Sequence, residues 1–567
     1  MRWRGRERGW GKKLVLFILL GVSGLVAGSR VDFAVVPTAQ GAAAASRTRA
    51  LSHFSQAVSI RYWFAHPDQA PAQLRARFQQ IRQETAKPRA ALKIAPTPGV
   101  FNLDSSGLPQ NEESVAVCRA DPGIVLGGTN DYRGLLDPEQ KNTTGWHLSL
   151  NGGDSVANEG LLPAIVLAGA TATPSGGDPV VVADPRCQLF AGSLNYDPED
   201  PGHHPNGVGV YQSNAATLAS CPGGSDPSCW PVRRAVAEAQ PGHLLDKDWL
   251  DVGVSGTAGE VVWVVYSDFV NDDTAPLGYT SASINAVRCN AALTSCTPPI
   301  LISGADQDVQ NADVTIGPDG RVYVTWSEIK GELPGTDGKA DQPQTFIHKL
   351  RIAPAGGTSF GPTRVVATED KPLPFDGFLH ANDFRIATYP KNEVVRVGGR
   401  PRVFVVWDGC AARVLDSTCE EPQIKLRFSD DDGASWSRDV ILSQSGDNYF
   451  PTISQDGTGW LAVAWYTNRF DPLFHNKQNV ELVTLNAATL NITKRQTIIS
   501  TPDETEADPL LKGLFIGDYF EVFAHRQTAW VHFNANYRKL KLLGDGFSVP
   551  QQDNYLSRVN MSRGDGE

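Results

Sequence analysis

The sequence predicts an all-β chain: a single β-propeller of four-stranded antiparallel blades, seven in number, with six as the runner-up count. Three observations predict it. A strand-rich unit starts at residues 113, 178, 248, 311, 383, 450 and 518, a spacing that stays between 63 and 72 residues along most of the chain. Each unit reads as a polar residue, a β-rich run, a turn and a second β-rich run, with room for a further pair of strands about a Gly-rich turn. The 54 Gly and 38 Pro are dispersed, and 13 Trp and 13 Tyr accompany them, which suits many short strands joined by tight turns.

The first strand pairs of the units span 113–133, 178–196, 248–268, 311–328, 383–408, 450–469 and 518–538. In the fifth unit the second pair is plain: 424–429, a turn, then 436–443. Ahead of the repeat, residues 1–13 hold six basic groups against Glu7, and an apolar run follows over 14–28, with small residues at 27–29 and 39–45. This reads as a signal peptide over 1–28, with a retained signal anchor as the alternative. Fifteen apolar residues are few for a membrane span. Residues 29–110 form an N-terminal extension, in which Leu74, Phe78 and Ile81 predict one short amphipathic helix between Pro71 and Pro88. The propeller then occupies 111–567.

Eight cysteines agree with export. Cys221/Cys229, Cys289/Cys296 and Cys410/Cys419 are close enough in sequence to staple loops, and Cys118 and Cys187 then pair by elimination; the other reading is free buried thiols. None of these spacings resembles a zinc site. A formal charge of −11 argues against nucleic acid or an anionic membrane as the main partner.

Ser429-Asp430-Asp431-Asp432-Gly433-Ala434-Ser435-Trp436 fits the pattern S-x-D-x-G-x-[ST]-W. A weaker copy runs Ser149-Leu150-Asn151-Gly152-Gly153-Asp154-Ser155-Val156, and a decayed one ends Gly357-Thr358-Ser359-Phe360. Physically this is a turn device. The acid accepts backbone N–H bonds, Gly takes a positive φ, and Trp anchors the hairpin. In these motifs the chain resembles the sialidase-like (BNR, Asp-box) propeller superfamily over roughly 110–560, a resemblance that implies fold strongly and function hardly at all.

In an up-and-down blade, the loop before strand 1 and the loop after strand 2 share a face, and the Asp boxes lie opposite. Residues before strand 1 include Asp178, Asp246, Asp248, His380, Asp383 and Asp518; those after strand 2 include Asp131, Arg133, Arg469 and Arg538. One reading is a carboxylate-rich pocket with arginines at the mouth of the central channel. The other is polar loops whose acids cap their own turns. The resemblance sharpens the first. Sialidases bind a sugar carboxylate with three arginines and use a Tyr nucleophile paired with a Glu, plus an Asp acid/base. It implies Arg133, Arg469 and Arg538 as the cluster, Tyr519 with Glu521 as the pair, Asp131 as the acid/base, and Asp178, Asp248, Asp383 and Asp518 as further substrate contacts. The chain departs from that family in lacking Arg-Ile-Pro; Arg385-Ile386-Ala387, in the fifth unit, is the nearest string.

Other signals are weak. Gly357–Gly361 spells G-x-S-x-G without the strand and helix a nucleophile elbow needs. Acidic loops at 197–200, beside His203 and His204, and at 272–273 could hold calcium through oxygens, though solvated surface loops are the plainer reading. No cofactor or metal is expected. Two functions follow: a secreted propeller acting on or binding a glycan or glycoconjugate, with glycoside hydrolysis as the chemistry, or a non-catalytic extracellular scaffold that has lost the site. A monomer is expected in either case.

Overall fold

The computed structural model describes His66, Asp68 and residues 99–562, less 105–107, 137–140, 171, 198–204, 273, 276–277, 332–343, 372–381, 383, 387, 412–418, 420, 500, 509–510, 512, 514 and 542–547. The signal segment and the helix expected between Pro71 and Pro88 lie outside the described residues, as do His203, His204, His380 and Asp383.

Seven antiparallel sheets follow one another along the chain. Their innermost strands are β1 (Gln110–Val117), β5 (Val180–Ala183), β9 (His243–Val254), β13 (Val309–Ile316), β17 (Lys391–Val397), β21 (Asn448–Gln455) and β26 (Glu521–His525). Each inner strand packs on the next, and β26 (blade seven) packs back on β1 (blade one), so the blades close a seven-membered ring. The first six blades each contain a β1–β2–β3–β4 type meander of four strands, and blade six adds a short fifth. The outer strand expected at 436–443 in blade five is only two residues long, Val440–Ile441.

Blade seven contributes three strands of its own: β26, β27 (Thr528–Lys541) and β28 (Ser548–Asn560). Its outer edge is completed by residues 99–101, ahead of the repeat. Val100 bridges Tyr555, Phe101 N–H donates to Asn554 O at 3.0 Å and Leu556 N–H to Gly99 O at 3.0 Å. One blade built from both ends of the repeat ties the ring shut and leaves no gap between first and last blades.

Tryptophans fill the space between blades. Trp326 in β14 (Val322–Lys330), Trp407 in β18 (Arg400–Gly409) and Trp465 in β22 (Trp460–Thr467) are fully buried. Trp407 Nε1 donates to Glu369 at 3.2 Å and Trp465 Nε1 to Asn448 at 3.1 Å, so burying these two indoles leaves their N–H groups partnered. All eight cysteines pair. Cys118–Cys187 joins the end of β1 to blade two; Cys221–Cys229, Cys289–Cys296 and Cys410–Cys419 close local loops. Four disulfides suit an oxidising, extracellular-type compartment. Among the described residues no helix is long and apolar enough to cross a membrane.

An inner strand has one edge with no strand beside it, and its backbone N–H groups need acceptors. At six of the seven junctions a side chain of one blade supplies an acceptor to the inner strand of the next. Ser114 Oγ accepts from Val181 N–H (2.9 Å), Asp251 from Ile316 (2.7 Å), Asp313 from Asn392 (2.7 Å) and Glu393 from Gln455 (3.0 Å). Ser454 Oγ accepts from Ala524 (3.0 Å), and Glu521 closes the circuit by accepting from Val115 (2.9 Å).

Asp313 also accepts from the Asn392 side-chain amide at 2.7 Å. Removing that carboxyl leaves buried donors unpaired. Asp313→Ala is expected to lower the unfolding free energy by about 1–3 kcal/mol in urea titration, whereas Asp313→Asn, which retains an acceptor, costs less. Equal losses in the two variants would contradict the acceptor role.

Candidate functional site

Strand 1 opens irregularly in blade after blade. In β1, Glu112 and Glu113 together face the single residue Thr129 of β2 (Val125–Asp131). The same two-against-one bulge occurs at Lys247–Asp248 in β9, Asn311–Ala312 in β13 and Phe450–Pro451 in β21. The first residue of each bulge is left-handed: Glu112 has φ 60°, Lys247 55°, Asn311 60° and Phe450 52°. Asp178 (φ 52°) and Gly517 (φ 96°) occupy the corresponding places in blades two and seven. At Gly517 a side chain would meet Glu112 N at 2.9 Å, so glycine is required there. A left-handed non-glycine residue costs on the order of 1–3 kcal/mol, and a bulge re-aims the side chains that follow it. Here the repeated bulge gathers polar side chains into a buried layer at the strand-start end of the channel, its mouth.

Asp518 anchors the charges at the mouth. Arg385 Nε donates to Asp518 Oδ1 at 2.8 Å, the Arg385 Nη2 group and the Lys247 ammonium bind Oδ2, and all three side chains are buried. Burial alone would push the Asp518 carboxyl up, but Arg385 and Lys247 hold it well below the usual carboxylate range. Its neighbours behave oppositely. Glu112, which accepts from Asn130 Nδ2 at 2.6 Å and from Asp518 N–H at 3.2 Å, is pushed far up by burial and by the charges of Asp178 and Asp518. Asp248 is pushed up by burial, then by Asp178 and Asp246. The same layer thus holds one carboxyl pushed down by its cations and two pushed up by burial and neighbouring acids.

Below this layer lie three aromatic rings and a lysine. Tyr519 packs edge-to-face on Trp249 at 5.1 Å and on Tyr389 at 5.8 Å. The Lys391 ammonium lies over the Trp249 ring, 5.0 Å from the centre of Tyr389 and 5.8 Å from that of Tyr519. Beyond it, the channel widens into a cavity of about 260 Å³ whose walls come from all seven inner strands and include Asp251, Asp313, Glu393 and Glu521. A larger surface cavity, about 710 Å³, lies away from the mouth at the turn Arg526–Gln527.

The sequence-predicted residues divide between these places. Asp178, Asp248, Asp518 and Tyr519 come together at the mouth. The Tyr519 hydroxyl donates to Pro179 O at 2.9 Å, and burial, then Glu112 and Asp178, push its phenol up from its ordinary value. Glu521 is turned to the blade junction, where it accepts from Ser114 Oγ at 2.5 Å as well as from Val115. The three arginines do not converge on Tyr519. Arg133 binds Asp131 at 2.8 Å and also Glu159; Arg469 binds Glu481 at 2.8 Å; Arg538 binds Asp553 at 2.9 Å. Of the two acids sharing Arg133, burial pushes Asp131 up to about 8, while for Glu159 the upward push of burial is overcome by Arg133 and His147 together, which hold it at about 2. Sequence reasoning missed Lys247, Glu112, Trp249, Tyr389 and Lys391 as site residues. Arg385 was legible as part of Arg-Ile-Ala, and its grip on Asp518 emerges only in the fold.

On the opposite face, the turns at 149–155 and 429–435 are built alike. Ser429 Oγ accepts from Gly433 N–H at 2.8 Å, and Asp431 accepts from Ser435 N–H at 2.8 Å and Ser435 Oγ at 2.6 Å. Ser149 accepts from Gly153 at 2.9 Å, and Asn151 accepts from Ser155 at 3.0 Å. Among the described residues no group of three or more His, Cys, Asp or Glu is arranged to hold a metal ion.

No family model matches the chain, and no curated protein matches it. Among solved structures it is similar to a Hadza microbial sialidase, at 9% identity over 69% of this chain and 71% of that one, with a TM-score of 0.38. It is similar to an ulvan lyase of a new polysaccharide lyase family at 9% identity, 82% and 96% coverage and a TM-score of 0.43. It is also similar to the phage phi92 endosialidase at 8%, 83% and 70%, and 0.39.

Asp518→Asn removes the charge that balances two buried cations, and is expected to destabilise the chain by about 3–5 kcal/mol, measured by urea unfolding; a loss below 1 kcal/mol would contradict the anchor role. Glu521 tests the junction through pH. Burial pushes its carboxyl from 4.5 up to about 7 against the pull of Lys391. A carboxyl raised on folding favours the folded state below about 4.5, and that contribution is lost as pH rises through about 7. Glu521→Gln, fixed in the neutral form, escapes the loss. Its melting temperature relative to wild type should therefore climb by about 2 °C or more between pH 5 and pH 8; a constant difference would be the contrary result.

Proposed function

We propose that this chain is an exported propeller that engages a glycan at the mouth of its central channel, through the carboxyls of Asp178, Asp248, Asp518 and Glu112 and the cations Arg385 and Lys247. The observation that carries this reading is the ion network of Asp518 with Arg385 and Lys247, joined by Glu112 and set next to an aromatic cluster. A sugar offers hydroxyls that both donate and accept, and apolar ring faces. Asp518 is held ionised and accepts, burial and neighbouring charges push Glu112 and Asp248 toward the protonated form in which a carboxyl can also donate, and the cluster of Trp249, Tyr389 and Tyr519 lies beside them. Carboxyls driven apart in pKa are also what acid/base chemistry at a glycosidic oxygen needs. In a turnover reading, Glu112 is the proton donor and Asp518 the ionised partner.

A sialidase with the three-arginine clamp is the less favoured form of this proposal. Arg133, Arg469 and Arg538 are each neutralised by their own carboxylates, and the Tyr519 phenol is kept neutral and donating. The same arginine pairing favours the second reading, a non-catalytic extracellular glycan-binding or protein-interaction scaffold. We read the turns at 149–156 and 429–436 as Asp-box turns with a structural role. The basic-then-apolar N-terminus, read as a signal peptide, joins the four disulfides in supporting secretion.

The test is a panel of neutral, uronic and sialic oligosaccharides, assayed by calorimetry for binding and as fluorogenic glycosides for release. Glycan turnover that Glu112→Gln lowers at least about 100-fold, with binding retained, is the expected result for the enzyme. Binding without release in the wild type supports the scaffold. Neither binding nor release across the panel overturns the glycan reading.

A further inference from the structure

The far half of the channel holds a group for which the glycan reading has no use. Lys391 lies on the wall of the 260 Å³ cavity that opens away from the mouth, with its side chain only 5% exposed. Other buried lysines are tied down. Lys349 is bound by Asp306 at 2.7 Å, Lys425 by both oxygens of Glu369 at 2.9 Å, and Lys371 by Thr388 Oγ1 at 2.9 Å. Among the described residues Lys391 has a single loose polar contact, Asp313 Oδ1 at 3.5 Å, and is otherwise enclosed by Trp249, Tyr389 and Tyr519. Glu521, on the same cavity wall, is the second carboxyl that acts on its charge.

We propose that Lys391 is a nucleophilic amine that forms an imine with a small aldehyde or ketone admitted to this cavity. The geometry supplies what that reaction requires: an amine on a cavity wall, the Asp313 carboxyl within reach of it and a second carboxyl, Glu521, on the same wall. The Asp313 carboxylate takes one ammonium proton. The freed nitrogen lone pair attacks the carbonyl carbon, and the C=O π pair moves to oxygen, which is protonated by the Glu521 carboxylic acid. The cationic nitrogen then returns a proton to Glu521, leaving a neutral carbinolamine. Asp313, now protonated, donates to the hydroxyl, which departs as water while the nitrogen lone pair closes the C=N bond. One ammonium and one carbonyl compound give one protonated imine and one water, with no oxidant or reductant. Burial in an aromatic, low-dielectric surround activates lysine in this way by disfavouring the ammonium; burial pulls Lys391 down to about 8 even though Asp313 and Glu521 oppose it.

The test uses the full wild-type chain, propanal as the probe and sodium cyanoborohydride to trap the imine, with each lysine quantified by peptide mass spectrometry. Lys391 is expected to be alkylated at least about tenfold faster than exposed Lys477 at pH 7.5. Its rate should level off above about pH 8. Asp313→Asn should slow labelling at Lys391 and leave Lys477 unchanged. Labelling of Lys391 no faster than that of Lys477 in the wild type would overturn the proposal, whatever the glycan panel shows.

Discussion

Seven inner strands each present an edge of backbone donors with no strand alongside, and the ring holds together by answering them. The acceptors are side chains of the preceding blade: Ser114, Asp251, Asp313, Glu393, Ser454 and Glu521. All run in the same rotational sense. A hydroxyl can donate and accept at once, so Ser114 gives its proton to Glu521 of blade seven while taking one from Val181 of blade two, linking three blades through one side chain. These acceptors line the channel, so polar side chains are built into its interior before any ligand is considered.

The mouth is shaped by a second recurring device. A bulge with a left-handed first residue in blades one, three, four and six breaks the alternation of strand 1 at the same level. The break brings Glu112 and Lys247 into one network with Asp518 and Arg385, where a strict two-residue period would have parted them. Burial, then the charges of neighbouring acids, pushes Glu112 and Asp248 up, while the paired cations hold Asp518 down. The contrast among these carboxyls therefore follows from backbone geometry.

What could be read from the sequence was what repeats. The period, the strand pairs and the Ser429–Trp436 motif all report local structure, and Cys118 with Cys187 followed from the pairing of the other six cysteines. The mouth was partly legible, because Asp178, Asp518 and Tyr519 stand immediately before strand 1 and Asp248 stands at the bulge within it. The use of Glu521 was not: two residues from Tyr519, it shared a presumed face with it, yet it answers a backbone donor of another blade. Arg133, Arg469 and Arg538 were visible as cations after strand 2, but the partners Glu159, Glu481 and Asp553 lie 26, 12 and 15 residues away, on later strands of the same blades that only the fold brings alongside. The closing segment at 99–101 carries no repeat signal, since it supplies one strand and not a unit.

The central claim is that ligand chemistry belongs to the mouth formed by the bulged strand starts. Hydrogen–deuterium exchange of the chain, with and without a saturating oligosaccharide from the binding panel, tests it most directly. The account predicts slowed exchange in peptides covering 110–114, 176–180, 244–249, 384–390 and 516–520, with the turns at 149–155 and 429–435 unchanged. Protection confined to those turns, or to the outer strands, would place recognition on another surface and contradict it.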